Sequence, residues 1–192
     1  MRVRTSPPAL LAALALITGA GLAGCGGDEQ DAALPEPGSS ATGPSCQDDT
    51  GDAGPGLDLS AVRLVRVGDR VRVIVEQNTF PPQQNSVVWT VGFINADASH
   101  SVALTTTQVE GTDLTHAIAV DDERADPQDD PVRITANAMT TTFPVGPIDD
   151  LGPGTRWYAV LSVDGDDVDF CPGGAQIEDY LDITPLALPE RW

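Results

Sequence analysis

From Leu57 onward, apolar and polar residues alternate in short runs instead of recurring every three or four positions, so the pattern predicts strands. Val62-Arg63-Leu64-Val65-Arg66-Val67 leads into Gly68-Asp69, and the following run sets Val71, Val73 and Val75 on one face. Two β-rich runs split by a short Gly-Asp turn predict an antiparallel hairpin. The first arm alternates less cleanly, which admits a bulge or burial on both faces. Pro81-Pro82 closes this unit in a loop. Residues 86–95 predict a strand with Val87, Trp89, Val91 and Phe93 on one side and Val88 and Ile94 on the other, the pattern of a central strand.

Residues 101–109 and 114–120 predict further strands, whereas 121–131 is acidic, contains proline and reads as an exposed loop. The β-branched run 132–143 reads as one long strand or two. Residues 147–151 open on Pro147 and predict a single helical turn. A late buried strand over 155–163 carries Trp157 and Tyr158. In the tail 177–192, Pro185 and Pro189 bar a long helix around Ile183, Leu186, Leu188 and Trp192. It reads as a last edge segment packed on the domain, or as a free peptide for a partner. Short strands, frequent turns and no long helical period predict an all-β fold, an antiparallel, jelly-roll-like β-sandwich, as one domain over 46–192.

The N-terminal segment follows different rules. Arg2 and Arg4 precede an apolar stretch, and Leu22-Ala23-Gly24-Cys25 closes it with small residues and a cysteine. This order is that of a secretory signal, and Pro7, Pro8, Gly19 and Gly21 leave the apolar run short of the roughly 20 residues that a spanning helix needs. The last four residues resemble the lipobox of bacterial lipoproteins. That resemblance implies removal of 1–24 as a signal peptide, lipidation of Cys25 and attachment to the cell membrane on its extracytoplasmic face. Two acyl chains give stable anchoring where one gives marginal binding. Residues 25–45 then read as a lipidated N-terminus and tether, since Gly, Pro, Ser and acids without hydrophobic periodicity cannot offset their ordering entropy.

Charge narrows the partners. Ten basic residues, all arginine, face 29 acidic ones; Arg2 and Arg4 leave with the signal, so eight remain against 29, a mature net charge near −21. Such a chain is a poor match for nucleic acid, which is held by neutralising phosphates with Lys and Arg. Nor does it carry a polybasic patch for anionic lipid.

A second resemblance rests on the order of short motifs. Thr50-Gly51-Asp52-Ala53 precedes Leu57-Asp58-Leu59-Ser60-Ala61-Val62 and a hairpin; Phe143-Pro144, a short turn and Trp157-Tyr158-Ala159-Val160 come late. This order is similar to secreted modules of the family 9 carbohydrate-binding and DOMON-like type, over 48–171. The resemblance implies a jelly-roll-like sandwich with a ligand at one face or rim, and sometimes bound calcium or haem. Sugar binding there uses exposed aromatic platforms, whereas Trp89 and Trp157 sit in strands that read as buried. The histidine and methionine candidates for haem, His100, His116 and Met139, stand apart in the sequence.

Three cysteines are present, and with Cys25 assigned to lipid the remaining pair, Cys46 and Cys171, predicts a disulfide in an oxidising compartment. That bridge would gather two acidic clusters: Asp48, Asp49 and Asp52 after the first cysteine, and Asp164, Asp166, Asp167 and Asp169 before the second. Carboxylates held near one point repel unless protons or a cation compensate, and calcium takes six to eight oxygen ligands in flexible geometry. The clusters therefore read either as a solvated acidic turn or as a calcium site.

Signatures of catalysis are missing. No Gly-x-Ser-x-Gly, Ser-x-x-Lys or His-Glu-x-x-His pattern occurs, nor a Gly-rich phosphate loop. The sequence thus predicts a membrane-anchored, non-enzymatic β-sandwich that binds a small-molecule ligand or a protein partner. Two alternatives stay open: an accessory envelope protein that contacts other proteins, and a hydrolase with an acidic site of unfamiliar form.

Overall fold

A computed structural model describes residues 43–53, 57–78, 86–109, 112–173 and 184–192. The chain divides into Met1–Leu34, where no residue is described, and Pro35–Trp192. The signal segment, Cys25, most of the tether, Pro81-Pro82 and Ile183 lie outside the described residues.

The alternating runs form the strands that their patterns require. In order they are β1 (Ser45–Gln47), β2 (Leu59–Val67), β3 (Arg70–Gln77), β4 (Val87–Ile94), β5 (Ser101–Gln108), β6 (Thr115–Val120), β7 (Asp126–Gln128), β8 (Arg133–Ile134) and β9 (Ala138–Pro144). A single helical turn, α1 (Gly146–Asp149), and strands β10 (Arg156–Val163), β11 (Asp166–Cys171) and β12 (Leu186–Ala187) complete the order. One sheet runs β1-β2-β3-β9-β8; the other runs β11-β10-β4-β5-β6-β7, with β12 also paired to β10. Every pairing is antiparallel. This is an all-β sandwich of two sheets, neither of them closed into a barrel.

The core lies where the pattern places it. Val71, Val73 and Val75 of β3 and Val87, Trp89, Val91 and Phe93 of β4 are buried. Trp89 donates its indole N–H to the Gln77 side-chain oxygen at 2.8 Å, so a polar tip from each sheet is satisfied inside the core. The hairpin turns at Gly68, whose φ of 62° suits glycine, and the uneven first arm holds an irregularity between Leu59 and Ala61. On the outer side of β4, the Tyr158 ring occupies the place of a Cβ on Gly92, 2.4 Å from where that atom would be. Residues 132–143 form two strands, the β8–β9 hairpin. The tail packs: β12 pairs with β10, and Leu186, Leu188 and Trp192 lie against the core.

Two segments differ from their sequence reading. Within the acidic stretch 121–131, β7 pairs with β6 through Ile118↔Asp126, Ala117↔Pro127 and His116↔Gln128. A sheet edge recruits backbone groups without regard to side-chain pattern, and an edge is where proline is tolerated. The acidic run before Cys171 is likewise a strand rather than a turn: only Asp164-Gly165 turns, with φ of 53° and 94°, and β11 follows immediately. Positive φ at both central residues suits an Asp-Gly hairpin turn.

Candidate functional site

Cys46 of β1 and Cys171 of β11 form a buried disulfide, with Cα atoms 5.9 Å apart. β1 is the edge of one sheet and β11 the edge of the other, so the bridge ties the two layers together at one rim. The sequence separation of 125 residues spans most of the domain.

The acidic cluster is built around this bridge. Asp48 lies two residues after Cys46 and Asp169 two before Cys171. Extended chain repeats every two residues, so each carboxylate takes the side of its cysteine. Asp48, Asp52 and Asp169 each present an oxygen, and these lie within 4.8 Å of one another. Asp169 is fully buried and accepts from the Leu59 N–H at 2.7 Å and the Phe170 N–H at 2.8 Å. Asp48 is half-buried; its Oδ2 has no hydrogen-bond partner and almost no contact with solvent.

A β-bulge selects which aspartates join. Along the β10–β11 pair, Leu161 faces Asp169 but Ser162 faces Asp167, so the register slips by one residue at Val168. Leu161 is a core residue, and Asp169 turns inward with it. Asp167 turns outward and accepts from the Ser162 hydroxyl. Asp166 pairs opposite Val163, and Asp164 accepts from the Ser86 N–H at 2.9 Å. Among the seven aspartates singled out from the sequence, the structure thus gathers Asp48, Asp52 and Asp169, and does not bring Asp49, Asp164, Asp166 or Asp167 to them.

Electrostatics follow from that crowding. Burial first, then the Asp169 and Asp52 charges, push the Asp48 carboxyl up to about 7. Burial also raises Asp169, while its two backbone donors favour the charged form. The pair therefore holds a proton on Asp48, donated toward Asp169, until the pH nears neutrality. Chemically, the three carboxylates can share that proton or give it up to a cation; calcium would need further oxygens from backbone or water.

A neighbouring carboxylate escaped the sequence reading. Asp58 is fully buried and accepts from the Gly51 N–H at 3.0 and 2.9 Å and from Asn78 Nδ2 at 3.3 Å. It pins the loop carrying Asp48 and Asp52 to the start of β2. The available signal was an aspartate placed directly before a strand, which is too common to single it out.

At another place on the sandwich a cleft of about 330 Å³ is lined by Arg66, Ile148, Asp149, Thr155, Leu188 and Trp192, among others. Arg66 and Asp149 form a two-pronged ion pair, both contacts at 2.7 Å, and the guanidinium lies 5.8 Å from the Trp192 ring centroid. Trp192 and the paired charges give the cleft one aromatic and one polar wall.

Among the described residues the histidines form no triad. His100 meets Asp121 at 2.8 Å on the surface, which raises the imidazole and lowers the carboxyl. Its neighbour Ser99 gives its hydroxyl to Asp97 at 2.7 Å. His116 is buried edge-on against Phe143, with ring centroids 5.1 Å apart, and burial lowers its pKa. Comparisons with protein-family models, curated proteins and solved structures found no match to this chain.

Proposed function

We propose that this protein is an extracytoplasmic lipoprotein: a β-sandwich moored to the membrane through lipidated Cys25, which binds a small ligand or a protein partner and catalyses no reaction. The observation that carries the extracytoplasmic part is the buried Cys46–Cys171 disulfide, since such bonds persist outside the reducing cytosol. The Leu22-Ala23-Gly24-Cys25 sequence supports the anchor. Binding is supported by the cleft beside Trp192, whose mixed aromatic and charged lining suits recognition. The non-enzymatic reading is supported by the histidines, one committed to Asp121 and one sealed against Phe143.

The anchor is tested by metabolic labelling with a clickable palmitate in a bacterial host that processes lipoproteins. Wild type is expected to take up label and fractionate with membranes, and Cys25→Ala to lose both. Equal labelling of the two proteins would reject the anchor.

A further inference from the structure

After removal of the signal, eight arginines remain. Four of them, Arg63, Arg70, Arg72 and Arg133, lie on one face of one sheet. Register puts them there: Arg72 is opposite Val65 and Thr142, Arg63 is opposite Ile74, and Ile74 and Arg133 are both opposite Thr140. Residues directly opposite share a side, and i and i+2 share it along a strand. The alternate residues of β3, Val71, Val73 and Val75, fill the core, so this arginine face is the outer one.

Two of the four are neutralised. Arg63 pairs with Glu76 at 3.2 Å, and Arg70 pairs with Asp130. The side chains of Arg72 and Arg133 make no hydrogen bond or ion pair with any described residue. Arg72 nevertheless has only 8% of its surface exposed, and its Nε is buried without a partner. Burial first, and the Arg133 guanidinium second, pull the Arg72 pKa below its usual range. A guanidinium held out of water beside a like charge is costly unless an anion joins it. The anomaly is sharper because acids outnumber bases so heavily in this chain.

We propose that Arg72 and Arg133 form an oxyanion-binding site on the outer face of the five-stranded sheet, taking the phosphate or sulfate group of a small soluble ligand. The guanidinium fork matches such oxygens, the Thr140 and Thr142 positions place hydroxyl-bearing residues beside it, and Val65 and Ile74 supply apolar area for the body of the ligand. The strongly negative remainder of the protein repels polyanions and anionic bilayers, which leaves a small anion as the occupant. This site is separate from the cleft beside Trp192 and goes beyond the proposed function, and it is independent of the anchor: palmitate labelling and anion binding fail separately.

The test is calorimetric titration of inorganic phosphate and of sulfate into the full chain in neutral detergent, at constant ionic strength. Saturable binding of at least one anion is expected in the millimolar range or tighter, weakened about tenfold or more in Arg133→Gln, the loss of one charge-assisted contact pair. Arg72→Gln is expected to do the same. Arg133 is exposed, so its variant keeps the test decisive even if Arg72→Gln misfolds. Arg124→Gln, an exposed arginine of the β6–β7 connection, is expected to bind as wild type. The proposal is overturned if neither anion binds saturably, if Arg133→Gln binds as tightly as wild type, or if Arg124→Gln weakens binding equally.

Discussion

The carboxyl pair beside the disulfide makes stability depend on pH in a direction opposite to that of an ordinary salt-bridged aspartate. Asp48 titrates near 3.8 in the unfolded chain and about 7 when folded. Between those values the folded state binds more protons, so stability is greatest at the acid end and falls as pH rises through about 7. The full linkage for that shift is about 4 kcal/mol at roughly 1.4 kcal/mol per unit; Asp48 is partly open to solvent, and screening reduces this to about 1–2 kcal/mol. For a domain of this size that corresponds to a Tm lower by roughly 5 °C at about pH 8 than at about pH 5. Asp48→Asn keeps the shape, lets an amide N–H donate toward Asp169 and removes the charge. Its Tm is expected to lose this decline and to exceed that of wild type at the alkaline end by a similar amount. Thermal melts of the oxidised protein across this range measure both. Subtracting the variant's profile removes the contribution of His116, whose lowered pKa makes stability rise with pH below about 6.5. Parallel wild-type and Asp48→Asn profiles would refute the reasoning. The same melts with millimolar calcium separate proton from cation: recovery of the alkaline Tm in wild type but not in Asp48→Asn assigns the cluster to calcium, and no shift leaves it a proton-sharing pair.

Removing the bridge with Cys46→Ala/Cys171→Ala is expected to cost about 2–5 kcal/mol in urea unfolding, since loop-closure entropy for so long a loop sets a ceiling near 5 kcal/mol. An unchanged urea midpoint would contradict that role. NMR titration should separate the histidines, His116 below and His100 above the free imidazole value, because one is buried and the other faces Asp121. Coincident titrations would contradict both environments.

Much of this protein is determined by sequence periodicity alone. The β2–β3 hairpin, the inward faces of β3 and β4, the helical turn at Pro147 and the sandwich class follow from where apolar residues fall, because burial is the largest local constraint on a strand. The cysteine pair was legible for the same kind of reason: with Cys25 set aside, only two thiols were left to bridge. The tail was legible as a packed edge segment, but the edge strands β1, β7 and β11 were not, since an edge is recruited through backbone donors and acceptors that every residue carries. Only the tertiary structure chose among the seven aspartates: a one-residue slip at Val168 turns Asp169 into the core and Asp167 out to Ser162, and register has no signature in composition. The arginine face was equally hidden. Arg63, Arg72 and Arg133 come from three strands, and they share a surface because β9 lies between β3 and β8, a pairing decided by the closing of the sheet rather than by any neighbour in sequence.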